Sequence, residues 1–137
     1  MYEVLVIDDD ADVRDAIKRV LERAGFAVRT SMDAVAALSE LSRRSADVVI
    51  TDIIMPKVNG VEAIRSILEG FPGVKIIAIS GGGNFGIGSY KPNAITTTAY
   101  LAAAERAGAH NVLTKPFDSA DLVRAVEQVL GPGRAIH

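Results

Sequence analysis

Hydrophobic positions along this chain follow two periods that take turns. Glu3–Ile7 reads Glu-Val-Leu-Val-Ile, short and β-branched, which predicts a strand buried on both faces. Beyond it Val13, Ile17, Val20, Leu21 and Ala24 fall on one helical stripe. Asp10 suits the N-cap of that helix and Gly25 its C-terminal stop. The alternation then repeats, with strands predicted over 26–30, 47–51, 75–79 and 111–114. Between them lie predicted helices over 33–43, with Val35, Leu38 and Leu41 inward, and over 60–70, with Ile64, Ile67 and Leu68 inward. A fourth helix is predicted over 97–107. A fifth begins at Asp118 or Ser119, carries Leu122, Val126, Val129 and Leu130 on one face, and stops at Gly131-Pro132-Gly133.

Strands buried on both sides and separated by amphipathic helices predict an α/β fold: a doubly wound, five-stranded parallel sheet with helices on both faces. Right-handed crossovers leave few topologies, and five strands suit the order 2-1-3-4-5, the flavodoxin-like arrangement. The rhythm breaks at 81–96, where Gly81, Gly82, Gly83, Gly86 and Gly88 interrupt any apolar period and predict an extended loop. The 137 residues fit one domain, expected over 1–131, with a short tail at 132–137.

Composition narrows the chemistry. Hydrophobic residues make up 49% but aromatics only 5%, so the core is expected to be aliphatic. With no cysteine, disulfide frameworks, thiolate zinc sites and cysteine nucleophiles are excluded. A formal charge of −2 argues against nucleic-acid binding by bulk electrostatics, and Arg43-Arg44 is too small a basic pair to change that. No signal-like start and no stretch long enough to cross a bilayer is present, so a cytoplasmic protein with no membrane partner is expected. His110 and His137 lack metal-ligand spacing and are expected at the surface.

The first predicted strand ends in Asp8-Asp9-Asp10 and the third in Asp52. In the 2-1-3-4-5 order these two strands are neighbours, and their carboxyl ends meet at the switch point where such sheets bind ligands. Ser80 ends the fourth strand and Lys115 the fifth. Carboxylates, a hydroxyl and an ammonium at one edge can bind Mg²⁺, offer an aspartate as nucleophile and neutralise a phosphoryl group.

At these residues the chain resembles the receiver domain of bacterial two-component response regulators, the fold of the chemotaxis response regulator. The matching pieces are Val6-Ile7-Asp8-Asp9, Thr51-Asp52-Ile53-Ile54-Met55-Pro56 with Gly60, Ile79-Ser80-Gly81, and Thr114-Lys115-Pro116-Phe117, in family order and each at a strand end. The resemblance implies a phospho-accepting signalling switch in a phosphorelay rather than a metabolic enzyme. Asp52 would accept the phosphoryl group from a phosphohistidine of a sensor histidine kinase or histidine phosphotransfer protein. Mg²⁺ (or Mn²⁺) would be held by Asp9, Asp52 and the backbone carbonyl of Ile54, with Asp8 acting through water. Ser80, the backbone N–H of Gly81 and Lys115 would contact the phosphoryl oxygens. The downstream target is unknown, and the face built from helix four, strand five and helix five is the family's common dimer or target surface, so a homodimer through it is an expectation.

The chain also departs from the family. Val112 stands where many members carry an aromatic residue, and the loop after Ser80 is longer than usual. Ile54, two residues past Asp52, cannot position water by hydrogen bonding, which predicts slow self-dephosphorylation. Two other readings exist. A haloacid-dehalogenase-like phosphatase also uses an Asp nucleophile with Mg²⁺, but needs a larger chain with a cap. A phosphorylation-independent pseudo-receiver is disfavoured by the intact acids, Ser80 and Lys115. Asp10 and Asp12 read as a helix cap and a first-turn acid rather than ligands.

Overall fold

The computed structural model describes residues 1–52, 60–80, 102–114 and 117–131. Five strands, β1 (Glu3–Ile7), β2 (Ala27–Ser31), β3 (Val48–Asp52), β4 (Lys75–Ser80) and β5 (Asn111–Thr114), form one parallel sheet in the order β2-β1-β3-β4-β5. They alternate with α1 (Ala11–Arg23), α2 (Ala34–Arg43), α3 (Gly60–Gly70), a helical stretch over 102–107 (α4) and α5 (Ser119–Leu130). The predicted loop over 81–96 and the tail at 132–137 lie outside the described residues.

Alternation along each strand splits the core in two. Val4, Val6, Val48, Ile50, Ile77 and Ile79 pack with Ile17 and Leu21 of α1 and Leu122 and Val126 of α5. Leu5, Ile7, Val49, Ile76 and Ala78 face the other way, onto Ala37 and Leu41 of α2, Ile64 and Ile67 of α3, and Ala104 of α4. Each fully buried isoleucine contributes roughly 1.5–3 kcal/mol by leaving water, so a sheet lined on both sides by aliphatics needs few aromatics.

Cross-strand pairing, not hydropathy, sets the strand ends. β2 runs one residue later than the pattern predicts because its pairing with β1 begins at Glu3 opposite Ala27 and ends at Ile7 opposite Ser31. β3 likewise extends to include Asp52, opposite Ile79. Val35 is a correction: it was expected inward, yet it is 77% exposed. The buried line of α2 is Ala34, Ala37 and Leu41. Small residues let that helix sit close to the sheet, and Val35, about 100° round the axis from Ala34, is turned to solvent. Leu38 and Leu68 lie at the margin of the same core, half-buried.

Asp10 and Gly25 cap α1 as the sequence predicts, and Asp33 and Asp118 prove to be the N-caps of α2 and α5. Asp10 accepts the N–H groups of Asp12 and Val13, Asp33 that of Ala36, and Asp118 with Asp121 forms a reciprocal capping box. Gly25, with φ of 103°, takes the left-handed turn out of α1. Arg43 and Arg44 stay largely exposed and pair with acids at the amino edge of the sheet. Arg43 pairs with Glu40 and Arg44 with Glu3, while Arg29 donates to the Arg44 and Ser45 carbonyls at 3.0 and 2.8 Å. His110 is exposed, as expected, but its Nδ1 also accepts the Ile76 N–H at 3.0 Å.

Candidate phosphoryl-acceptor site

The acids leave the sheet side by side. β1 and β3 pair in parallel with Ile7 opposite Thr51, so the residues that follow, Asp8 and Asp52, are neighbours at the carboxyl edge. Asp8 is 2% and Asp52 8% exposed. Keeping carboxylates out of water is expensive, so two on adjacent strands indicate a site rather than a stabilising feature. Asp52 shares the strand parity of Val48 and Ile50, which places it on the face covered by α1 and α5.

The turn after β1 is tightly specified. The Asp8 N–H donates to the Ser31 carbonyl at 3.2 Å, extending the ladder one step past the strand. The Asp10 N–H donates to Asp8 Oδ1 at 2.9 Å. Asp10 itself is occupied in capping α1. Arg14 Nη1 reaches back from the first turn of that helix to the Asp8 carbonyl at 2.6 Å. Asp9 stands between these fixed residues and is exposed. No motif in the sequence singles out Arg14. Its one signal is that a cation in a helix's first turn opposes the helix dipole and calls for a compensating partner.

β4 ends at Ser80 opposite Thr114, the last residue of β5, so both backbones arrive at the edge that holds Asp52. Ile54, Gly81 and Lys115 lie outside the described residues. Val112, at the family's usual aromatic position, pairs with Ala78 and packs half-buried against the core beneath α2 and α3.

The donor set suits a hard cation, being carboxylate oxygens without sulfur. Among the described residues no three acidic or histidine side chains come close enough together to hold an ion. Mg²⁺ keeps several waters and takes only one or two carboxylates from a protein.

The model of the response regulator receiver domain matches residues 4–88. The chain belongs to that family. This receiver domain is 35% identical to the DNA-binding transcriptional regulator NtrC of Azospirillum brasilense over 93% of its own length, yet it spans only 24% of that regulator. It is 31% identical to the chemotaxis protein CheY of Thermotoga maritima, covering 92% of this chain and 95% of that one. Among solved structures, the receiver domain of NtrX from Brucella abortus has a TM-score of 0.78 at 29% identity, over 93% of this chain and 97% of that one. A receiver domain from Clostridium thermocellum gives 0.79 at 30%, over 95% and 94%. The flavodoxin-like fold expected from the sequence is the fold observed. Receiver domains are regulatory domains of two-component signalling. No helix among the described residues is long and apolar enough to cross a membrane.

Proposed function

We propose that this receiver domain is a phosphorylation switch whose acceptor is Asp52. The observation that carries the reading is the buried neighbourhood of Asp52 and Asp8 at the carboxyl edge, set by the β1–β3 register. A carboxylate oxygen of Asp52 attacks the phosphorus of a phosphohistidine on a sensor kinase or histidine phosphotransfer protein. The O–P bond forms as the N–P bond breaks, and the electron pair returns to the imidazole. Little acid–base chemistry is needed, because phosphoryl transfer depends on positioning and charge stabilisation.

Asp9, Asp52 and the Ile54 carbonyl would hold Mg²⁺, and Asp8 would order the site through water. When bound, the ion supplies charge neutralisation between the acceptor and the incoming phosphoryl group. Lys115, Ser80 and the Gly81 N–H take the phosphoryl oxygens. With Val112 in place of an aromatic residue, the response travels through Ser80 and the β4–β5 edge without an aromatic rotamer change. The domain acts in the cytoplasm on a protein target, and α4, β5 and α5 form the face for that target or for a second copy. Because the chain spans 95% of the Thermotoga CheY but 24% of the Azospirillum NtrC, either a lone receiver or a module of a longer regulator accommodates it.

The test is intact mass after incubation with acetyl phosphate and Mg²⁺. One added phosphoryl group is expected on the native chain, absent from Asp52→Asn and blocked by EDTA. An adduct that persists in Asp52→Asn moves the acceptor elsewhere. No adduct, together with no amide-spectrum response to beryllofluoride and Mg²⁺, makes the domain a pseudo-receiver.

A further inference from the structure

Asp8 is the first residue past β1, and its carbonyl lies where the strand ladder gives way to the turn into α1. A buried carbonyl at such a point needs a donor. Arg14 supplies it, with Nη1 2.6 Å from the oxygen. The bond is charge-assisted, hence strong and directional. It fixes the peptide plane that joins Asp8 to Asp9. The Asp8 N–H to Ser31 and the Asp10 N–H to Asp8 Oδ1 fix the turn on either side. Arg14 sits in the first turn of α1, where its charge opposes the helix dipole, so this anchor and not helix propensity accounts for its placement.

We infer that Arg14 is a positioning residue for the cation, holding the β1–α1 turn in the form that presents Asp9 and Asp8 to Mg²⁺. The inference rests on reading this edge as the Mg²⁺ site. Two effects oppose each other. A guanidinium repels a nearby cation, but Asp8, Asp9, Asp10 and Asp52 leave the edge net negative in its presence. Ordering the turn before the ion arrives removes an entropic penalty from binding. Ordering outweighs repulsion, so removing the guanidinium weakens binding.

The experiment is a Mg²⁺ titration of the full chain followed by the amide NMR shifts of Asp9 and Asp10, with thermal midpoints measured alongside. Arg14→Met keeps the apolar stem and loses the donor. It is expected to bind Mg²⁺ about tenfold more weakly, at the low end of what loss of an outer-shell partner does. Arg14→Lys keeps one charged donor and is expected to recover part of that loss. Affinity in Arg14→Met that is unchanged or tighter overturns the inference, and a lowered midpoint with unchanged affinity makes Arg14 a structural residue only. A native chain with no saturable Mg²⁺ response overturns the site reading itself and this inference with it. Native saturation that disappears in Asp52→Asn keeps the two failures apart.

Discussion

Whether a phosphorylated receiver resets quickly or slowly turns on the side chains beside its acceptor. In sequence, Ile54 stands two residues past Asp52. On the proposed reading its side chain flanks the phosphoryl group, and an isoleucine side chain neither donates nor accepts a hydrogen bond. Water attacking phosphorus is then unassisted from that side. Restoring a polar amide with Ile54→Asn is expected to speed loss of the phosphoryl group. One hydrogen bond contributes about 1 kcal/mol net, which at the transition state is about a fivefold change in rate. The decay of the phosphorylated mass after removal of acetyl phosphate reads it directly, and an unchanged or slower decay sinks the idea. Single residues also mark the limit of sequence reading. Asp10 was legible as a cap because its spacing from the apolar stripe of α1 is local. Arg14 was not, because a helical arginine bonded to a strand-end carbonyl has the same local pattern as one in solvent.

Elements were read better than their edges. Every described strand and helix matches a predicted one, because short apolar β-branched runs and the 3.6-residue helical stripe persist over whole segments. Val35 was misplaced because alanines carry little hydropathy signal and still define the buried line of α2. The start of β5 hid a longer-range device. His110 donates its N–H to the Ile76 carbonyl at 2.8 Å and accepts the Ile76 N–H at Nδ1, so one histidine satisfies both backbone groups of a β4 residue 34 positions away. No periodicity reveals such a bond. To accept at Nδ1 the ring must be neutral, with its proton on Nε2. Partial desolvation of the ring, in a residue otherwise exposed, and then the Lys75 charge hold the His110 pKa below its ordinary 6.5. The unfolded chain therefore binds the proton more readily than the folded one. The histidine's contribution to stability is complete above about pH 6.5 and falls away as pH drops through the lower folded value. Thermal midpoints are expected to decline from about pH 7.5 to about pH 5.5 more steeply in the native chain than in His110→Asn, which keeps an acceptor that does not titrate. Parallel curves would exclude His110 as the cause.

The sheet order does at the scale of the whole molecule what no single strand does. Asp8 and Asp52 are 44 residues apart in the chain, and the β2-β1-β3-β4-β5 order makes them neighbours by setting β1 beside β3. The acids were legible as strand-end residues, whereas their burial and the turn that holds them came only from the fold. On the proposed reading, packing these carboxylates against an aliphatic core sacrifices stability for a site, a trade typical of functional positions. An ion that binds only the folded state returns part of that stability. At ten times its dissociation constant the gain is about 1.4 kcal/mol, or a rise of about 3–6 °C in the midpoint of a chain this size. The native midpoint is therefore expected to climb with MgCl₂ and then level off, while Asp52→Asn, lacking one ligand, climbs far less. NaCl at matched ionic strength is the control for screening of surface charge. If NaCl reproduces the rise, or Asp52→Asn follows the native curve, the stabilisation comes from general screening or from another site. If the rise is specific to Mg²⁺ and needs Asp52, the ion sits where β1 and β3 end, and the acids that weaken the empty fold are the ones that strengthen the loaded one.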